Sequence, residues 1–234
     1  MNIFLTAFFA LLLYPATLEF GAGVQDTKTR PLDTVLARME AVGKNFRSFQ
    51  ANFTQRKYIA ILEEYDNPES GVFMYARAKD GSAMLRQEVV KPGPRILTIK
   101  GGVATVYQPV IKQASIANLG KNKDKAEFLA LGIGQSPARM RETFEISYGG
   151  TDSIDGVSCS LLELSPKSTA TAAFFTSFTL WISDVTNLPI QQKLQEPGGD
   201  YLLVRFSSEK LNPRLADSLF EQNLPKDVEI QYIR

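Results

Sequence analysis

Apolar and polar side chains alternate along much of this chain, most regularly from Lys91 to Leu119, KPGPRILTIKGGVATVYQPVIKQASIANL. Two Pro residues open the stretch, Arg95 to Lys100 alternates with β-branched residues, Gly101-Gly102 supplies a reversal, and Val103 to Tyr107 runs back until Pro109 removes a ladder donor. That pattern predicts a β-hairpin. The renewed alternation from Ile111 to Leu119 extends it to an antiparallel meander.

Upstream the period changes. Leu32, Val35, Leu36, Met39 and Val42 recur at helical spacing within Pro31 to Val42, with Asp33, Arg38 and Glu40 off the stripe and Gly43 as a stop signal. An amphipathic helix of this kind needs an apolar surface to lie on, and the sheet is the available one. Phe46 to Ile61 is expected to be a half-buried strand, with Phe49, Ala51 and Phe53 on one face and Gln50, Asn52 and Thr54 on the other. Gly71 to Arg77 follows, placing Phe73, Tyr75 and Arg77 opposite Val72, Met74 and Ala76, and Ala83 to Val90 is a further strand.

Downstream, Lys121 to Lys125 reads as a charged loop, and Ala126 to Gly134, AEFLALGIG, is apolar on nearly every side. A helix with that composition is either buried or faces a non-aqueous ligand. Ser136-Pro137 is an N-cap followed by Pro at the first helical position, starting a short helix through Met140 toward Thr143. Strands are then expected at Phe144 to Tyr148, Val157 to Leu164, Phe174 to Ile182, Leu188 to Gln195 and Tyr201 to Ser208. Turn signals at Gly149-Gly150, Asp155-Gly156, Asp184 to Asn187 and Pro197 to Asp200 separate them. Long strands at this spacing without helices between them argue a continuous antiparallel sheet.

Ile3 to Tyr14 is an apolar run too short to span a bilayer, followed by Pro15 and by small residues at Gly21, Ala22 and Gly23. It reads as a secretory signal peptide over 1–23, ahead of one domain over 24–234, although the segment before the run carries no Lys or Arg. A buried N-terminal helix of a cytosolic protein is the competing reading. No Cys lies near the cleavage site, so the exported product is expected to be soluble rather than lipid-anchored.

Composition narrows the chemistry. Lys plus Arg number 26 against 25 Asp plus Glu, so there is no basic field for nucleic acid. The 234-residue chain has no His and one Cys, which removes the commonest general base, the commonest metal ligand and any internal disulfide. No P-loop, dinucleotide glycine fingerprint or Gly-x-Ser-x-Gly elbow is present. Glu63, Glu64, Asp152 and Asp155 fall in turn-like sequence, and Cys159 reads as a small buried hydrophobe. Neither a catalytic centre, a metal site nor a cofactor is expected.

Several phrases resemble the LolA-type periplasmic outer-membrane lipoprotein carrier family: ILTIKGG, VYQP and IKQASIANL in the meander, then LRQEVVKP, LLELSPK and LWISDVTNLPIQQ. Ser48, Phe49, Ala51, Phe53, Thr54 and Gln55 match that family's first-strand phrase, and Phe220, Pro225 and Val228 its closing motif, so the likeness runs from Leu32 to Ile230. The resemblance implies an α+β, mostly β fold: an incomplete, half-open antiparallel β-barrel with helices covering its concave apolar face. It implies a cavity for lipoprotein acyl chains lined by Phe49, Phe53, Phe73, Tyr75, Leu85, Leu97, Ile99, Tyr107, Phe128, Leu129, Leu131 and Ile133. It also implies a lid latch at Arg77, although Ala78 stands where the family usually has Pro. The implied protein is a monomeric, non-enzymatic periplasmic chaperone without cofactors. It would receive lipoproteins from an inner-membrane releasing ABC transporter complex and pass them to an outer-membrane lipoprotein receptor.

Simpler readings stand beside these. Core packing accounts equally for the aromatic strand residues and the apolar 126–134 segment, and a surface strand-end position accounts for Arg77. On the same shell, the rival functions are a lipid or glycolipid binding protein not dedicated to lipoproteins, an envelope sensor with a second domain, and a structural protein whose cavity is filled by its own side chains. The exported product is expected to begin near Val24, and N-terminal sequencing that returns Met1 overturns the signal-peptide assignment.

Overall fold

Alternating side chains bury one face of each strand, and the ladder register decides which residues share that face. The structure, a computed structural model, describes residues 31–120 and 128–233; the expected signal segment 1–23 lies outside them. The first half contributes α1 (Pro31–Lys44), β1 (Ser48–Ile59), β2 (Glu64–Tyr65), β3 (Glu69–Arg77), β4 (Ala83–Lys91), β5 (Arg95–Lys100), β6 (Val103–Gln108) and β7 (Gln113–Asn118). The second contributes α2 (Pro137–Thr143), β8 (Phe144–Ile154), β9 (Val157–Pro166), α3 (Thr169–Ala172), β10 (Ser177–Ser183), β11 (Pro189–Gln195), β12 (Tyr201–Leu211) and β13 (Glu229–Ile233).

All strands join one sheet in the order β13-β7-β6-β5-β4-β3-β1-β12-β11-β10-β9-β8, with β2 paired to β1 off this path. β8 and β13 stay at opposite edges, so the sheet is open: a mostly β half-barrel with helices on its apolar face. Every ladder is antiparallel except β13 on β7, which is parallel and departs from the all-antiparallel expectation. Register aligns Phe49, Tyr75, Leu85 and Ile99 across β1, β3, β4 and β5. These belong to the same buried cluster as Leu162, Phe178, Leu180, Leu194 and Phe206 from the other half of the sheet. Residues so far apart in strand order share a core only because the sheet curls. Register shifts in β1, β3, β8 and β10 supply local bends of the kind that bulges introduce.

The expected stripe of α1 fills the inside of this curl: Val35, Leu36 and Met39 are buried, and Leu32 and Val42 pack partly against the same core. Gly43 does not stop the helix, which continues to Lys44. Gly149-Gly150 is likewise no turn. Gly150, at φ 99, allows a bulge within β8, and the chain reverses at Asp155-Gly156 (φ 50 and 82). β10 begins at Ser177 rather than Phe174, because Thr169–Ala172 coils into α3 after a Ser168 cap.

Polar contacts fix α1 in place. Arg38 Nη2 donates to Asp184 Oδ1 at 2.9 Å and Ser160 Oγ at 3.3 Å, and Asp184 also accepts from the hydroxyls of Ser158 (2.7 Å) and Ser160 (2.9 Å). The Ser158 hydroxyl, followed by Ser160 and Arg38, holds the Asp184 carboxyl below the usual carboxylate range against the opposing effect of partial burial. A carboxyl with a lowered folded-state pKa stabilises the fold above its unfolded pKa, and the gain is lost as pH falls through the folded value. Asp184→Asn is expected to cost about 1 kcal/mol or less near neutrality, as a partly exposed pair should, with the gap from the parent closing on acidification. Urea melts of both proteins across the carboxylate range check this, and a gap independent of pH contradicts it.

Candidate functional site

Nine of the twelve proposed cavity residues, Phe49, Phe53, Phe73, Tyr75, Leu85, Ile99, Phe128, Leu131 and Ile133, are buried in one cluster, and Leu97 and Leu129 pack partly against it. Phe49 meets Phe73 and Phe206 edge-to-face at 6.3 and 5.8 Å, and Phe73 lies tilted against Phe206 at 5.4 Å. Tyr107 is a correction. The two-residue Gly101-Gly102 loop pairs Lys100 with Val103, so Leu97 faces Val106 and Ile99 faces Ala104, while Tyr107 pairs with Ile96 on the opposite, convex face. Because strand side chains alternate, Tyr107 cannot line the concave surface with Leu97 and Ile99.

The 128–135 segment covers that surface. It is not the continuous helix expected: 128–130 coil as a 3-10 turn, and Gly132 (φ 81) and Gly134 (φ 60) then adopt left-handed backbone that ends helical winding. Ala126 lies outside the described residues. Gly134 is required for a second reason: a Cβ there would lie 2.0 Å from the Phe46 ring, so its backbone rests directly on that ring. The helix that follows forms as read, with Ser136 accepting from the Arg139 amide and Pro137 in the first turn.

A non-helical segment inside an apolar core leaves carbonyls that need donors. Gln192 Nε2 reaches the Leu131 carbonyl at 2.8 Å, and Arg77 Nη2 reaches the Gly134 carbonyl at 3.0 Å. Within the segment, the Gly132 amide donates to Gln135 Oε1 at 3.3 Å. The Arg77 guanidinium also sits 5.9 Å from the centroid of Phe46, whose ring lies 5.6 Å from that of Tyr75. Gln192, 1% exposed, was not singled out from the sequence. The signal was available: adjacent Gln191 and Gln192 in a strand point to opposite faces, so one must enter the core, where a buried amide needs a partner.

The cover and α1 fill the concave side, so this is a closed arrangement of the apolar face. Beside the cover lies a cleft of about 490 Å³ with Phe128, Leu131, Met140 and Phe144 on its walls and Gln135, Ser136, Arg139 and Glu142 also lining it. Phe128 and Phe144 also pack with Phe175 and Phe178 in edge-to-face and tilted contacts, at 5.3 to 6.2 Å.

Several titratable groups outside this region have structural partners. Asp152 accepts from the Trp181 indole at 2.8 Å, which with the Ser153 amide lowers its pKa, and Asp155 pairs with Arg205. Burial pushes the Cys159 thiol up and away from reactivity. Burial, then the Tyr65 hydroxyl at 2.6 Å, pushes Tyr201 up to about 12. Among the described residues, no three His, Cys, Asp or Glu side chains are grouped to hold a metal ion.

No protein-family profile matches the chain, and no curated protein matches it in sequence. Solved structures do align with it. An uncharacterized conserved protein from Thermus thermophilus superposes over 86% of this chain and 99% of its own, at 14% identity and a TM-score of 0.52. A LolA superfamily protein from Nitrosomonas europaea aligns over 81% of this chain and 97% of its own, at 14% identity and a TM-score of 0.39. A domain from Vibrio parahaemolyticus described as outer membrane lipoprotein-sorting aligns over 81% and 96%, at 10% identity and a TM-score of 0.45. Against MucB in the Pseudomonas aeruginosa MucA/MucB complex, the chain spans 60% of that protein's length. At 14% identity, the Thermus likeness establishes a shared fold and nothing about ligand or partner.

Gln192→Leu keeps the volume but strands the Leu131 carbonyl, a loss expected to cost about 1 to 3 kcal/mol. Amides of 131–135 are then expected to exchange faster while those of β3 and β4 keep the parent's protection. Hydrogen exchange read by mass spectrometry checks this, and unchanged exchange in 131–135 means that the amide does not hold the cover.

Proposed function

We propose that this protein is a periplasmic carrier that takes up the acyl chains of lipoproteins on the concave face of its half-barrel and delivers them from the inner to the outer membrane. One observation carries the reading: an apolar sheet face is closed by a segment clasped through side-chain donors to its backbone carbonyls, Arg77 to Gly134 and Gln192 to Leu131. Such a cover can leave as a unit, because its polar contacts are few and are replaced by water on opening. The LolA-type phrases along the sequence and the half-barrel fold support the same reading. An inner-membrane ABC transporter complex would supply the loading energy, an outer-membrane receptor would accept the cargo, and the carrier itself would be monomeric and non-catalytic.

The energetics favour a closing device. Each buried methylene contributes about 0.8 kcal/mol, so several acyl chains on an open apolar surface would be held too tightly to release. Interactions made only in the empty closed form lower the affinity for cargo by the free energy they contribute to that form. A second reading, a lipid or glycolipid carrier not dedicated to lipoproteins, is favoured by the cleft of about 490 Å³, a size suited to one modest ligand. Organic extraction of the purified protein followed by mass spectrometry separates the two. Recovered lipoprotein supports the first, free lipid the second, and extracts without lipid or lipoprotein from protein purified without detergent oppose both.

Arg77→Leu is expected to leave loading intact and to slow delivery to an outer-membrane acceptor about ten- to a hundredfold, the equivalent of one charged hydrogen bond. Arg77→Lys should fall between, since a lysine lacks the planar fork. Equal transfer rates at equal loading would leave Arg77 as a strand-end residue only.

A further inference from the structure

A second cleft, of about 420 Å³, opens where the starts of β1 and β4 and the end of β3 meet the chain leaving β12. Arg47, Arg77 and Arg214 line it with Ser48 and Asn212, and Asp217 is the acidic residue among its lining groups. The framework is fixed by hydrogen bonds. Asn212, in left-handed backbone at φ 56, accepts at Oδ1 from the amides of Arg47 (2.7 Å) and Ser48 (3.3 Å) and donates from Nδ2 to the Asn45 carbonyl (2.9 Å). Ser48 Oγ donates to the Pro213 carbonyl at 2.6 Å, and the Arg77 amide to the Arg47 carbonyl at 3.0 Å. The backbone positions of the three arginines are therefore tied to one another.

Their charges are not balanced in the same way. Arg38, Arg86, Arg95 and Arg205 each pair with a carboxylate, whereas among the described residues Arg47, Arg77 and Arg214 pair with none. Like charges gathered in a cleft raise the local concentration of anions. Guanidinium forks fit phosphate oxygens, and a phosphate offers more acceptor oxygens than a carboxylate to several forks at once.

We propose that this cleft binds a phosphate-type anion, and that the anion draws the Arg77 guanidinium from the Gly134 carbonyl and so loosens the cover. Arg77 belongs to both places: it lines the cleft and donates to Gly134 at 3.0 Å. Coupling is reciprocal, so displacement of the cover by apolar cargo frees Arg77 and strengthens anion binding. The coupling rests on the reading of Arg77 as the clasp, whereas anion binding itself does not.

The test uses the full mature chain and the double variant Arg47→Gln/Arg214→Gln, which leaves Arg77 in place and changes two exposed side chains. Calorimetric titrations use inorganic phosphate, dihexanoylphosphatidylglycerol and, as an uncharged control, dihexanoylglycerol, with hydrogen exchange of 131–135 followed at saturation. The parent is expected to bind at least one phosphate-bearing probe about tenfold or more tightly than the double variant does, in line with the loss of charged hydrogen bonds. Its 131–135 amides should exchange faster with the anion bound, and those of the variant should not change under the same conditions. Binding of inorganic phosphate assigns the site to the free anion, and binding of the phospholipid alone assigns it to a headgroup; each supports the proposal. Equal binding by parent and variant, or a phospholipid bound no better than its uncharged control when phosphate does not bind, overturns the site. Anion binding with unchanged exchange overturns the coupling, while the carrier reading stands or falls separately on extraction and transfer.

Discussion

Backbone that is neither helix nor strand cannot be buried in an apolar core unless its carbonyls find donors, and the closed half-barrel depends on how that constraint is met. Within 128–135 the Leu131 amide reaches Phe128 and the Ile133 amide reaches Ala130, and of the remaining carbonyls those of Leu131 and Gly134 accept from the sheet. Gln192 and Arg77 supply those donors from β11 and β3, strands separated in the sheet by β1 and β12. The cover therefore bridges the curl. Its closed position depends on strands from both halves being correctly placed.

The curl in turn depends on what lies inside it. An open sheet of this length would expose a continuous apolar face, which a soluble protein does not ordinarily present to water. Val35, Leu36 and Met39 of α1 cover part of it, and Arg38 ties the helix to Asp184 and Ser160. The 128–135 segment covers the rest with contacts that are mostly apolar and few in hydrogen bonds. The two covers differ physically: one is a regular helix with its backbone satisfied internally, and the other borrows its partners from the sheet.

What the sequence made legible was local. The α1 stripe, the Gly101-Gly102 reversal (φ 59 and 76) and the Ser136-Pro137 cap all rest on neighbouring residues, and each is present. The face of Tyr107 was also recoverable, because a two-residue loop fixes the hairpin register and places Val106 rather than Tyr107 beside Leu97. Gly149-Gly150 was ambiguous in principle, since one glycine pair serves a turn or a bulge, and only the pairing of β8 with β9 decides. The parallel seat of β13 on β7 and the reach of Gln192 to Leu131 depend on residues far apart in the chain. No local pattern specifies those contacts.

The two donors to the cover are unlike in charge and in exposure. Gln192 is neutral and 1% exposed, so its bond to Leu131 lies in a low-dielectric interior where salt and soluble ions have little effect. Arg77 is charged and half-buried at the end of β3, and it also lines the cleft of about 420 Å³. At the Gly134 end a Cβ would meet the Phe46 ring at 2.0 Å. At Gly132 a Cβ would come within 2.9 Å of Leu180 and close to Pro189 and Met39, so neither glycine has room for a side chain. Both ends of the cover are therefore closely packed, and what distinguishes them is the charge and exposure of the donor that each accepts from.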